Sequence, residues 1–327
     1  VALIGRIAVA LALLAITGTN AAGQRLSLPV VVPGDGVTVR AESGLDGVAR
    51  RVAADAPDVI DSIYADLPDQ KRPDHIEIRL VIRSRDIARA APPGHGAPPW
   101  AAGVAYGDAG VVVVATRREA HSIDVDSTVA HELAHMALDA AVGDRAPRWL
   151  HEGFAYLHSS DWSFDRLRTL TGMAWSGDVI PLGELDRRFP AREHEAARAY
   201  AQSYDFVVYL ARRGRSASTD DDGDPWAFRA FLAGLAEGDP IDQAARRAFR
   251  ADMQELFSEW YENLRQRYLL VPAGMFTLAV WVLGAILLVV GYIRRRRQNR
   301  QRLALWEQEE AARAEPATSG LDDLPHG

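Results

Sequence analysis

The sequence predicts an α+β fold: a small mixed sheet packed against a helical half, followed by one C-terminal helix suited to crossing a membrane. Three observations carry this expectation. Segments with strand periodicity lie in the first part of the chain and segments with helical periodicity follow them. A run from Ala273 to Ile293 carries no charge. Hydrophobic residues make up 48% and charged residues 25% of the 327, enough apolar content for a sizeable core.

Taken in order, the chain opens with Arg6 ahead of an apolar stretch, Ile7 to Ile16, and then small and polar residues to Gly23. That stretch is short for a span and typical of a signal-peptide core, so residues 1–22 read as a signal peptide with cleavage near Ala21 or Ala22. Pro29, Pro33, Gly34 and Gly36 make the next segment loop-like, with a short strand over Gly36 to Ala41. Leu45 to Leu67 places Val48, Val52, Val59, Ile60 and Ile63 at helical spacing, with a break expected near Pro57. His75 to Arg83 alternates Ile76, Ile78, Leu80 and Ile82 with Glu77, Arg79 and Val81, which is strand periodicity. Ala91 to Trp100 is a Pro- and Gly-rich loop. Gly110 to Thr116, with four successive valines, is the best central strand.

Helices dominate from there. Ser127 is the expected cap of a helix reaching Ala141 and ended by Gly143, and Pro147 suits the first turn of a second helix to Leu157. Further helices fit Glu193 to Arg213, Pro225 to Leu235, Ile241 to Phe249 and Met253 to Tyr268, and Asp220 to Asp224 reads as a solvated acidic turn. As a helix, Ala273 to Ile293 would span about 31 Å, close to the hydrocarbon thickness of a bilayer. Tyr268 and Tyr292 sit near its ends, and Arg294 to Arg297 follow at once, the mark of a cytoplasmic flank. The expected organisation is a signal peptide (1–22), an extracytoplasmic domain (23–268), a transmembrane helix (270–293) and a cytoplasmic tail (294–327), a single-pass protein of the cell membrane.

Composition narrows the chemistry. The chain has no cysteine, which excludes disulfides, thiolate metal sites and a cysteine nucleophile. Its formal net charge of -7 weighs against a nucleic-acid partner. The informative segment is His131-Glu132-Leu133-Ala134-His135. Helix positions four apart share one face, so both imidazoles can address one ion. Glu132, rotated about 100° from His131, stands where a base could take a proton from water beside that ion. The bland alternative is a pair of histidines on a helix surface. Glu152, seventeen positions after His135, reduces its weight. A turn around Gly143 and Asp144 would fold a second helix back and add a third ligand, leaving one zinc position open, as catalytic sites do.

These residues carry a resemblance. Val129 to Leu138, then Arg148-Trp149-Leu150-His151-Glu152-Gly153-Phe154-Ala155, resembles the peptidase MA-like gluzincins, zinc metallopeptidases of the thermolysin clan, and the likeness extends over about Ile76 to Trp260. It implies zinc held by His131, His135 and Glu152, with Glu132 as general base and proton shuttle. It implies hydrolysis of a peptide or protein substrate, by an endopeptidase or an aminopeptidase-like enzyme. Where many clan members have an acidic residue four positions after the ligand Glu that steadies a histidine, this chain has Tyr156; Asp139, on the face of His131 and His135, is the alternative source of that contact. By analogy with the clan, Tyr200 or Tyr204 would donate to the oxyanion, against an equal expectation that both pack in the core. His151 and His158 are expected beside the site or on the surface. The strand Val111 to Ala115 is a candidate edge for an extended substrate, and equally a buried strand. Metzincins fit less well, because their Gly and third His positions are Leu138 and Ala141 here. The rival functional reading is a zinc-binding pseudoenzyme or peptide-recognition adaptor on the outer membrane face.

Overall fold

The computed structural model describes residues 25–68, 72–159, 164–186, 193–216 and 227–314. The signal-peptide segment, the acidic turn at 220–224 and the end of the tail lie outside them. The chain divides into two compact units, Val1–Arg265 and Gln266–Gly327.

The first unit begins with a hairpin, β1 (Val30–Gly34) and β2 (Val37–Ala41), antiparallel about an Asp35-Gly36 turn in which Gly36 has φ 66°. The expected loop at 30–34 is therefore a strand. Pro33 is tolerated because β1 is the outermost strand of the sheet, where a missing N–H breaks no inner ladder. The helix α1 (Asp46–Ala65) follows and runs unbroken through Pro57, against the expected break. Proline there deprives the Ala53 carbonyl of its usual donor. Gly34 lies against that carbonyl so closely that a Cβ would sit 2.6 Å from its oxygen. Strand and helix are thus packed backbone to backbone at the point of weakness.

β3 (Ile76–Arg83) joins β2 in parallel, and α2 (Ile87–Ala90) is a single turn at its end. β4 (Gly103–Tyr106) and β5 (Val111–Arg118) then form an antiparallel pair, with β5 also parallel to β3 and the two-residue β6 (His121–Ser122) continuing on the β4 side. The order is β1-β2-β3-β5-β4. Val111 to Ala115 are all buried, with β5 held on both sides. It is therefore not an edge, and β4 takes that place.

The helical half starts with α3 (Val125–Val142). Its N-cap is Asp124, whose carboxylate accepts from Ser127 N–H, so the cap lies three residues before the expected one. Gly143, at φ 62°, ends the helix as expected. α4 (Arg148–His158) follows Pro147, and α5 (Phe164–Ser176), α6 (Leu182–Leu185), α7 (Glu193–Ser216), α8 (Ala227–Glu237) and α9 (Ile241–Phe249) complete the half. α4 and α7 pack closely: a Cβ on Gly153 would lie 2.4 Å from Val207 Cγ2 and 2.5 Å from Ser203 O. α10 (Met253–Ala314) begins by burying Leu256, Trp260 and Leu264, with Trp260 Nε1 donating to Asp205 Oδ2 at 2.8 Å.

In the second unit, Phe276–Ala311 is long and apolar enough to cross a membrane, with a mean hydropathy of 2.4 in its most apolar stretch. Its large side chains, among them Phe276, Trp281 and Leu288, are exposed. This is a surface that water disfavours and lipid suits.

Candidate metal centre

α3 is amphipathic in a particular way. Val129, Leu133, Ala134 and Leu138 are buried in the core, while His131 and His135, one turn apart, share a second face. Their Nε2 atoms are 3.1 Å from each other, and the rings meet edge to face. The left-handed Gly143 and the turn after it bring α4 against α3. Glu152 then enters from α4, with Oε2 3.7 Å from His135 Nε2 and 4.0 Å from His131 Nε2. These three donor atoms form the one group among the described residues arranged to hold a metal ion.

Glu132 stands beside them under β4. Gly103 of that strand leaves no room for a side chain, since a Cβ would fall 2.7 Å from Glu132 Cγ. Tyr156, where the resembling family often has a carboxylate, packs its ring edge to face on His131 at 4.6 Å between centroids. A cleft of about 320 Å³ opens over the group, lined among others by Trp100, Gly103, Arg118, Tyr156, Ser159 and Tyr200.

Burial governs the electrostatics. It pushes Glu132 up to about 8, helped by the nearby Glu152 and opposed by a backbone hydrogen bond from Ala105. It pushes Glu152 up to about 7, with the Arg148 guanidinium pulling down. It lowers His131 to about 4 and His135 well below its usual value. The imidazoles are thus held neutral with their lone pairs available, the state in which they ligate metal.

The residues fit a divalent cation. Glu152 is 2% exposed and its Oε2 is buried without a hydrogen-bond partner. A buried carboxylate oxygen is costly unless something positive meets it. Tetrahedral zinc at about 2.0–2.1 Å would hold donor atoms roughly 3.3 Å apart. The observed separations of 3.1, 3.7 and 4.0 Å bracket that span. Two neutral imidazoles and one carboxylate are a borderline nitrogen and oxygen set of the kind zinc takes.

The other residues singled out by sequence separate into groups. Tyr200 lines the cleft, and its hydroxyl is hydrogen-bonded by Arg148; burial raises its pKa, keeping it a neutral donor. Tyr204 carries the Arg166 guanidinium over its ring at 4.4 Å and is not among the cleft-lining residues. Asp139 makes no hydrogen bond to His135, whose Nδ1 is buried without a partner; the carboxyl instead acts electrostatically on His151. His151 is buried and His158 pairs with Asp66 at 3.5 Å. The sequence assigns no role to Gly103, Arg148 or Ser159, which line the cleft or act on residues that do. Arg148, four before Glu152 on a helix, had a spacing signal; Gly103 and Ser159 had none.

Residues 96–266 match the family model of the Peptidase MA superfamily, and the chain belongs to that superfamily. No match to this chain is found among curated proteins. With the apolar helix, this makes it a membrane-anchored, peptidase-like protein carrying a group able to bind metal.

Proposed function

We propose that the protein is a zinc metallopeptidase of the gluzincin type, with His131, His135 and Glu152 as zinc ligands and Glu132 as general base. The observation that carries the reading is the convergence of two imidazoles and one carboxylate beside a second carboxylate, Glu132. Zinc held there would supply Lewis acidity, polarising a carbonyl and acidifying water at its open position. Glu132, ionised once a cation in the group offsets its burial and the Glu152 charge, takes the proton of the attacking water and delivers it to the leaving amine. Tyr200 donates its hydroxyl to the developing oxyanion, oriented by the hydrogen bond from Arg148. The outer edge of β4, beside Glu132, is the natural place for an extended peptide to add as a strand. A metal-binding adaptor would need no carboxylate at Glu132.

The arginines at 294–297 favour the cytoplasmic side and so support an orientation with the peptidase domain outside the cytoplasm. The test is Glu132→Gln in the full-length protein. Zinc content unchanged with peptide hydrolysis lost supports the reading; hydrolysis retained removes Glu132 from its role.

A further inference from the structure

The metal group has a buried neighbour that the mechanism above does not use. His151 is 2% exposed; neither ring nitrogen makes a hydrogen bond of good geometry, and the backbone of Gly143 acts on the ring as a loose partner. Its ring lies 6.3 Å from that of His135, inclined by 28°. His135 is itself 8% exposed, and its Nδ1, the nitrogen remote from His131, is also buried without a partner. His135 Nδ1 and a nitrogen of His151 are therefore left without a full partner on two neighbouring, nearly parallel rings. Buried polar atoms are hydrogen-bonded in folded proteins, directly or through ordered water, and a site holds water when it offers two to four polar partners. The half-buried Asp139 carboxyl acts on His151 more strongly than any other charge does.

The chemistry of ligation gives these atoms a task. An imidazole that binds metal through Nε2 carries its proton on Nδ1, and that N–H needs an acceptor to fix tautomer and ring orientation. The sequence spacing suggested Asp139 for this, but its carboxyl does not reach His135. His151 comes from α4, next to Glu152, and so brings a ring of one ligand-bearing helix beside a ligand of the other.

We infer that His151 is a positioning residue for His135: one ordered water accepts the hydrogen bond of His135 Nδ1–H and donates one to a ring nitrogen of His151, whose other N–H is held by the Gly143 backbone and favoured by the Asp139 charge. The inference rests on the metal-site reading above. It makes α3 and α4 a preassembled pair, so that Glu152 and His135 are brought to the ion together.

The test uses full-length protein in detergent, stripped of metal, with zinc affinity read by competition against a chromophoric chelator. The visible spectrum of the cobalt-loaded form reads ligand geometry. Relative to wild type, His151→Leu should lose about 10–100-fold in zinc affinity and shift the cobalt bands. His151→Gln, whose amide can still bond the water, should recover most of that loss, and Asp139→Asn should show a smaller one. Wild-type affinity in His151→Leu, or no recovery in His151→Gln, overturns the inference. Should His151→Leu not fold without metal, Asp139→Asn decides: unchanged affinity and spectrum overturn it. Failure of the underlying reading looks different, because the wild type would then take up no zinc.

Discussion

Gly103 and Glu132 are in backbone-to-side-chain contact, the strand β4 passing so close over α3 that a Cβ at 103 would lie 2.7 Å from Glu132 Cγ and 2.9 Å from Oε1. Thr128 Cγ2, at 2.9 Å, blocks a shift toward the start of α3. Gly103→Ala must therefore displace either the edge strand or the Glu132 side chain. Overpacking of this kind costs about 1–3 kcal/mol. The expected outcome is a modestly lower melting temperature, unchanged zinc stoichiometry and a loss of hydrolysis larger than the loss of stability explains. Full activity at wild-type stability would mean that the contact positions nothing.

The same strand marks where sequence reasoning stops. His131, His135 and Glu132 were legible because helical spacing alone places them on or beside one face. Glu152 was legible because Gly143 and Pro147 announce the turn and the new helix. The β1–β2 hairpin was half legible, since Asp35-Gly36 is a strong turn signal but Pro29 and Pro33 obscure the strand before it. β4 has only four residues between a Pro-rich loop and a turn, too few for alternation to register. Its identity as the edge is a fact of pairing order, which no local pattern encodes. Pro57 misled for a related reason: the cost of a proline inside a helix is local, while the packing of α1 on the sheet that keeps the helix continuous is tertiary.

The three donor atoms and Glu132 should separate cleanly under mutation. Glu152→Gln keeps the shape of the side chain but removes the negative charge and replaces one oxygen with a donor. Zinc affinity should fall by at least the 10–100-fold that outer-sphere changes produce. Glu132→Gln should leave affinity within a few-fold of wild type. Chelator competition on the two purified variants checks this. Equal affinities in both would show that Glu152 is not a ligand.

Gly153, beside Glu152 on α4, is predicted to be a stability position and not a chemical one. A Cβ there would meet Val207 Cγ2 at 2.4 Å and the Ser203 carbonyl oxygen at 2.5 Å, and the latter is backbone that cannot rotate away. Gly153→Ala should cost about 3 kcal/mol, at the upper end of overpacking penalties, by prying α4 from α7. Because the position is not chemical, added zinc should stabilise the variant and the wild type by a similar free energy. A variant as stable as wild type would show that the two helices separate freely.

The pH dependence of the metal-free protein follows from the buried carboxyls. Glu132 and Glu152 have folded-state values of about 8 and about 7, both above the 4.5 of an exposed glutamate. Raised values mean that the folded state holds protons the unfolded chain has lost. Their contribution to stability is complete below about pH 4.5 and is lost as the pH rises through 7 and 8. The site histidines act in the opposite sense, but their window lies between the lowered folded values and the unfolded 6.5, so they have little effect above pH 7. Between pH 7 and 8 the metal-free protein should lose on the order of 1 kcal/mol, read as a falling melting temperature. Glu132→Gln should remove much of that slope. Saturating zinc should abolish it, because the cation favours ionised carboxylates at both positions and binds the folded state alone. A metal-free melting temperature that climbs from pH 7 to 8 would show that these carboxyls are already ionised without metal, and that their burial is relieved by some other positive group.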